Sequence, residues 1–146
     1  MAKSYASTVI KASPDEVWAH VRDFNGLATW HSGLVSQSEI EDGKSGDQVG
    51  AVRSFTLTDG THIREKLLAF SDLERSYTYD FQKTPFDVDN YCATLRVTPL
   101  TDGGGSFVEW WTTFDCEPEK IDDWVHTFAG IVFKSGLDAL KERFGG

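Results

Sequence analysis

The run Arg53-Ser54-Phe55-Thr56-Leu57-Thr58-Asp59-Gly60-Thr61-His62-Ile63-Arg64-Glu65-Lys66-Leu67 decides how the chain pairs with itself. Two stretches rich in β-formers flank Thr58-Asp59-Gly60, so the segment reads as a hairpin. Side chains alternate between faces along a strand. Phe55 and Leu57 therefore share a face of the first arm, and Ile63 and Leu67 share a face of the second. A two-residue Asp59-Gly60 turn pairs Leu57 with His62 and exposes one apolar row. A three-residue loop with Gly60 left-handed pairs Phe55 with Ile63 instead. The buried face sets register, so the three-residue loop is expected. It places Arg53 across from Glu65 on the inner face and turns His62, Arg64 and Lys66 outward.

Glu65 is then the one acid in an otherwise apolar row, with Arg53 as its natural partner. Burial raises a carboxyl pKa and a nearby arginine lowers it. Three roles stay open for Glu65: an inward ion pair bridged by water, an anchor that orients a ligand, or a proton shuttle.

The rest of the chain extends this hairpin. Residues 4–11 read as a first strand. Ser13-Pro14-Asp15-Glu16 then reads as a helix start, with Ser13 as cap and Pro14 at the first helical position. Val17, Trp18, Val21 and Phe24 recur at helical spacing up to Asn25-Gly26, and a second short helix covers Leu27–Trp30. From residue 34 to 115, short alternating segments separated by turn residues give six antiparallel strands. After Pro118 the spacing is helical again through Trp124, Phe128, Ile131, Val132, Ser135, Ala139 and Leu140. The expected fold is α+β: a seven-stranded antiparallel sheet curved around a long C-terminal helix, with two short helices after the first strand. Residues 1–146 form a single expected domain.

Alternation also assigns the inner wall. The inner rows are Tyr77, Tyr79 and Phe81; then Tyr91, Ala93, Leu95 and Val97; then Val108, Trp110, Thr112 and Phe114. From the last helix, Trp124, Phe128, Val132, Ser135 and Gly136 face the sheet. Gly136 reads equally as room for a ligand or as close helix–sheet packing. Phe107 and Trp111 fall on the outer face. If exposed they suggest a homodimer surface; long neighbouring side chains that cover them would leave none.

Composition bounds the function. The 146 residues include five Trp, four Tyr and ten Phe, enough rings to line a cavity as well as fill a core. A net charge of −9 with no basic patch argues against nucleic acid. No apolar run reaches the ~20 residues of a membrane span. The start, Met1 to Thr8, has no apolar leader core, and Cys92 and Cys116 read as reduced thiols, so a cytoplasmic location is expected. His20, His31, His62 and His126 lack metal-site spacing, so no metal and no cofactor are expected. His31, beside Trp30, reads as an acid or base near the cavity mouth, or more simply as a surface or supporting residue.

The stretch Ile10-Lys11-Ala12-Ser13-Pro14-Asp15-Glu16-Val17-Trp18-Ala19, with Asp23-Phe24 and Trp30, resembles the opening of the polyketide cyclase/dehydrase-like family. That family belongs to the START/Bet v 1-like superfamily. Asp89-Asn90-Tyr91, Leu95-Arg96-Val97-Thr98-Pro99 and Gly105-Ser106-Phe107-Val108-Glu109-Trp110 resemble it as well. The likeness covers nearly the whole chain and implies the helix-grip fold. It also implies a polar residue reaching the cavity at the Glu65 position.

Two functions are expected from the combined reading. In the first, an internal cavity binds an apolar or aromatic small molecule. Its walls are Trp30, Phe55, Leu57, Ile63, Tyr79, Phe81, Trp110, Phe128 and Val132, with Arg53, Glu65 and Tyr91 at the polar end. In the second, Glu65, Arg53 and Tyr91 are catalytic in a cofactor-independent cyclase, dehydratase, isomerase or lyase with a polyketide-like or phenolic substrate.

Overall fold

The computed structural model describes residues 1–145. β1 (Ala2–Ile10) leads into α1 (Pro14–Val21) and α2 (Leu27–Trp30). β2 (Val35–Ile40), β3 (Val52–Leu57), β4 (His62–Ser71), β5 (Ser76–Lys83), β6 (Asp89–Pro99) and β7 (Ser106–Asp115) follow. The sheet is antiparallel throughout, in the order β1-β7-β6-β5-β4-β3-β2.

Local chemistry sets the boundaries that matter for the site. Ser13 Oγ accepts the Glu16 N–H, and Pro14 opens α1. α1 buries Val17, Trp18 and Val21; α2 buries Leu27 and Trp30. Trp18 Nε1 donates to Asp72 Oδ1 at 2.7 Å, which ties α1 to the β4–β5 turn. The β3–β4 hairpin takes the three-residue form. Gly60 has φ +92°, Phe55 pairs with Ile63, and Arg53 pairs with Glu65. On β5, β6 and β7, Tyr77, Tyr79, Tyr91, Ala93, Leu95, Val97, Val108, Trp110, Thr112 and Phe114 are buried.

Two expectations concern the outer face of the sheet and the C-terminal helix. Phe107 and Trp111 are half-buried. Trp111 stacks on Tyr5 at 6.3 Å, and Lys3 Nζ stands 5.9 Å from its ring. Tyr5 and Lys3 thus shield part of the Trp111 ring, and both side chains keep some exposed surface on the outer face.

The expectation for the C-terminal helix is corrected. α3 (Ile121–Val125), a π-helical segment (His126–Phe133) and α4 (Lys134–Phe144) run on without a break. The expected stripe holds to Phe128 and then slips by one residue. Phe133, Gly136, Leu137 and Leu140 are buried, Ser135 is exposed, and Trp124 and Val132 are half-buried. The cause is Ser4 on β1. Its hydroxyl donates to Val125 O at 2.7 Å and accepts the Ala129 N–H at 2.9 Å. Those two backbone groups would bond each other in an α-helix. A side chain wedged into the ladder widens the turn.

Gly136 serves close packing. A Cβ there would stand 2.7 Å from Trp110 Cζ3 and 3.1 Å from Trp30 Cζ3. Among the described residues no helix is long and apolar enough to cross a membrane, and both cysteines are free thiols.

Candidate binding cavity

A cavity of about 40 Å³ lies between the inner face of the sheet and the C-terminal helix. β3 contributes Arg53, Phe55 and Leu57; β4 contributes Ile63 and Glu65; β5 contributes Tyr79 and Phe81. Tyr91 of β6, Trp110 of β7, and Phe128 and Val132 of the π-helical segment close it. Strand alternation places the strand residues here and helical spacing places Phe128 and Val132; of the residues expected in the wall, one is missing. Trp30 lies behind the wall, stacked on His31 at 5.5 Å and tilted against Trp110 at 5.5 Å.

The adjacent residue takes its place. His31, the cap at the end of α2, lines the cavity, as do Leu27, Leu34, Val35 and Phe86. Phe86 follows Pro85 in the β5–β6 connection, where no periodic pattern marks an inward side chain. The signal for His31 was its place beside Trp30, but that place alone does not say which of the two points inward.

Arg53 and Glu65 form a buried pair, 1% and 4% exposed. Arg53 Nε donates to Glu65 Oε1 at 2.9 Å, and Nη2 reaches the same oxygen at 2.7 Å. Arg53 Nη1 donates to Phe24 O at 3.1 Å. The Phe24 and Tyr79 rings pack on the guanidinium, with centroids 3.9 and 4.6 Å away. Glu65 Oε2 has no hydrogen-bond partner among the described residues. Burial pushes the Glu65 carboxyl above its ordinary range, and the charge and hydrogen bonds of Arg53 offset this only in part. Burial also works against the Arg53 charge, but the Glu65 carboxylate beside it, through its charge and hydrogen bond, keeps the guanidinium protonated.

The other polar groups of the cavity are neutral. Burial, the main cause, pushes the Tyr79 and Tyr91 phenols well above their ordinary value. Tyr79 Oη accepts Trp110 Nε1–H at 2.9 Å. Tyr91 stacks on Phe81 at 3.9 Å and meets Phe128 edge-on at 5.1 Å. Burial, then the Arg53 charge, lowers the His31 pKa to about 4, so the ring is neutral at pH 7. His31 Nε2 lies 2.9 Å from Ser135 Oγ. Ser135 Oγ also lies 3.1 Å from Val132 O; when its hydroxyl donates there, the Nε2 proton goes to Oγ and Nδ1 is an acceptor, and when it donates to Nε2 the roles reverse. Among the described residues no group of three or more His, Cys, Asp or Glu is placed to hold a metal ion.

An antiparallel sheet that grips a long C-terminal helix over an internal cavity is the Bet v 1-like class of fold. Within it, a family model described as polyketide cyclase / dehydrase and lipid transport matches residues 1–145, and the chain belongs to that family. The protein XoxI from Bacillus cereus is 35% identical, with a TM-score of 0.87 over 99% of this chain and 96% of that one. A solution structure from Thermobifida fusca is 33% identical, with a TM-score of 0.88 over 99% and 94%. Norcoclaurine synthase from Thalictrum flavum, solved with dopamine and hydroxybenzaldehyde, is 18% identical, with a TM-score of 0.76 over 96% and 84%. That last likeness is one of fold alone.

Proposed function

We propose that the chain binds an apolar or aromatic small molecule in this cavity, with the polar end of the ligand on Glu65. The observation that carries the reading is the unpartnered Oε2 of Glu65 within a wall of Phe, Tyr, Trp, Leu, Ile and Val side chains. Ligand sites combine such apolar walls with a few placed polar groups. About 40 Å³ holds one or two waters, whereas sites for drug-sized ligands enclose roughly 300–1,000 Å³. Binding therefore displaces the half-buried wall members Leu34, Leu57, Phe81, Phe86 and Val132.

A second reading is favoured by the raised carboxyl of Glu65. A cofactor-independent cyclase, dehydratase, isomerase or lyase needs a group that takes a proton from substrate and returns it. Glu65 would do so, Arg53 would position it, and Tyr91 would donate to a substrate carbonyl.

Mass spectrometry of a mixed panel of phenolic, polyketide-like and fatty compounds incubated with the protein tests both. A compound retained unchanged, one per chain, supports binding. A new product that Glu65→Gln forms about 100-fold more slowly supports catalysis. No compound retained or converted contradicts both.

A further inference from the structure

The cavity contains an arginine, and a buried arginine beside an apolar space invites the reading of a carboxylate site. The hydrogen bonds point the other way. All three Arg53 nitrogens are committed, Nε and Nη2 to Glu65 and Nη1 to Phe24 O. The Phe24 and Tyr79 rings cover the guanidinium. Among the described cavity-lining residues, Glu65 Oε2 is the carboxylate oxygen left without a protein hydrogen-bond partner, and in the ion pair with Arg53 it is an acceptor. Tyr91 can turn its hydroxyl either way and does not discriminate.

Charge decides between the possible donors. Arg53 and Glu65 are within salt-bridge distance and sum to zero. An ammonium would add an uncompensated charge to a space walled by rings, which is costly. A carboxylate would add a charge and also set its oxygens against Glu65 Oε2. A neutral hydroxyl satisfies Oε2 without adding charge.

We infer that the cavity selects neutral hydroxyl donors, phenols or enols on an aromatic or apolar body, and rejects carboxylates and ammonium ions of the same shape. The inference rests on the binding reading above and names the ligand class for that site. Glu65 Oε2 accepts the ligand O–H, and Arg53 holds Glu65 without touching the ligand.

Three isosteric probes test it: p-cresol, p-toluate and 4-methylbenzylammonium, titrated by calorimetry into the intact protein at pH 7. The expected result is p-cresol binding about tenfold or more tightly than either ion. In Glu65→Gln, which offers an amide donor, the cresol-to-toluate preference should fall by about tenfold. Toluate binding as well as cresol would make Arg53 an anion site and overturn the inference, while the binding reading stands. The ammonium binding best would overturn it too. An unchanged preference in Glu65→Gln would remove Glu65 as the selector and also overturn it. Failure of all three probes to bind would take down the binding reading, and the inference with it.

Discussion

Arg53 spends two nitrogens on one oxygen of Glu65, at 2.9 and 2.7 Å, and the second oxygen has no partner among the described residues. The pair bridges β3 and β4 at directly opposed positions. One oxygen serves the fold; in the binding function proposed above, the other receives the ligand.

Removing one partner should cost more than removing both. Arg53→Met leaves a buried carboxyl without its cation, an expected loss of about 3–5 kcal/mol. The double variant Arg53→Met/Glu65→Leu should recover most of it, because a packed apolar pair replaces a desolvated ion pair. Urea denaturation of the two variants measures this. A single-variant loss below about 1 kcal/mol would mean that the pair contributes little to the fold.

The two helix glycines should respond oppositely to alanine. At Gly136 the new Cβ meets Trp110, Trp30 and His31 rings, all buried, and the expected cost is about 1–3 kcal/mol. At Gly130 it meets only His126, an exposed side chain free to move. The expected effect there is a gain of about 0.5–1 kcal/mol. Thermal melts of both variants check the contrast, and equal shifts would contradict it.

Ser4→Ala should destabilise by about 1–3 kcal/mol, since Val125 O and Ala129 N–H lose their bridging partner. Hydrogen exchange at the Ala129 amide should accelerate. Unchanged protection with unchanged stability would mean that Ser4 does not hold the widened turn.

His31 sets an acid limb of stability. Its native pKa is depressed, to about 4 against about 6.5 when unfolded, so folding favours the neutral ring. That stabilisation is complete above about pH 6.5 and is lost as pH falls toward 4. The full loss is about 3 kcal/mol at 1.36 kcal/mol per unit. Glu65 acts with the opposite sign: its native pKa is raised, so its contribution is greatest at low pH and fades as pH rises through the native value. Urea midpoints for wild type and His31→Asn between pH 7 and 4.5 should diverge, with wild type falling more steeply. Parallel slopes would contradict the depressed pKa.

Much of this was legible from the residues. The apolar rows around Gly60 admit one register, and that register opposes Arg53 and Glu65. Inner rows such as Tyr91-Ala93-Leu95-Val97 follow because a strand has period two. Three features were not legible. Trp30 and His31 sit together at the end of a four-residue helix, too short for periodicity to orient either. Phe86 lies in a connection without period. The slip from Val132 to Phe133 depends on Ser4, which is more than 120 residues away in the chain. No local window contains that contact.

The most direct test of the account is carbon-13 NMR of the Glu65 carboxyl, assigned through Glu65→Gln, across a pH titration with and without p-cresol. The account predicts a carboxyl that titrates above the ordinary glutamate range and shifts as the phenol saturates the cavity. A Glu65 signal that titrates at or below that range, and that saturating phenol leaves unmoved, would contradict it.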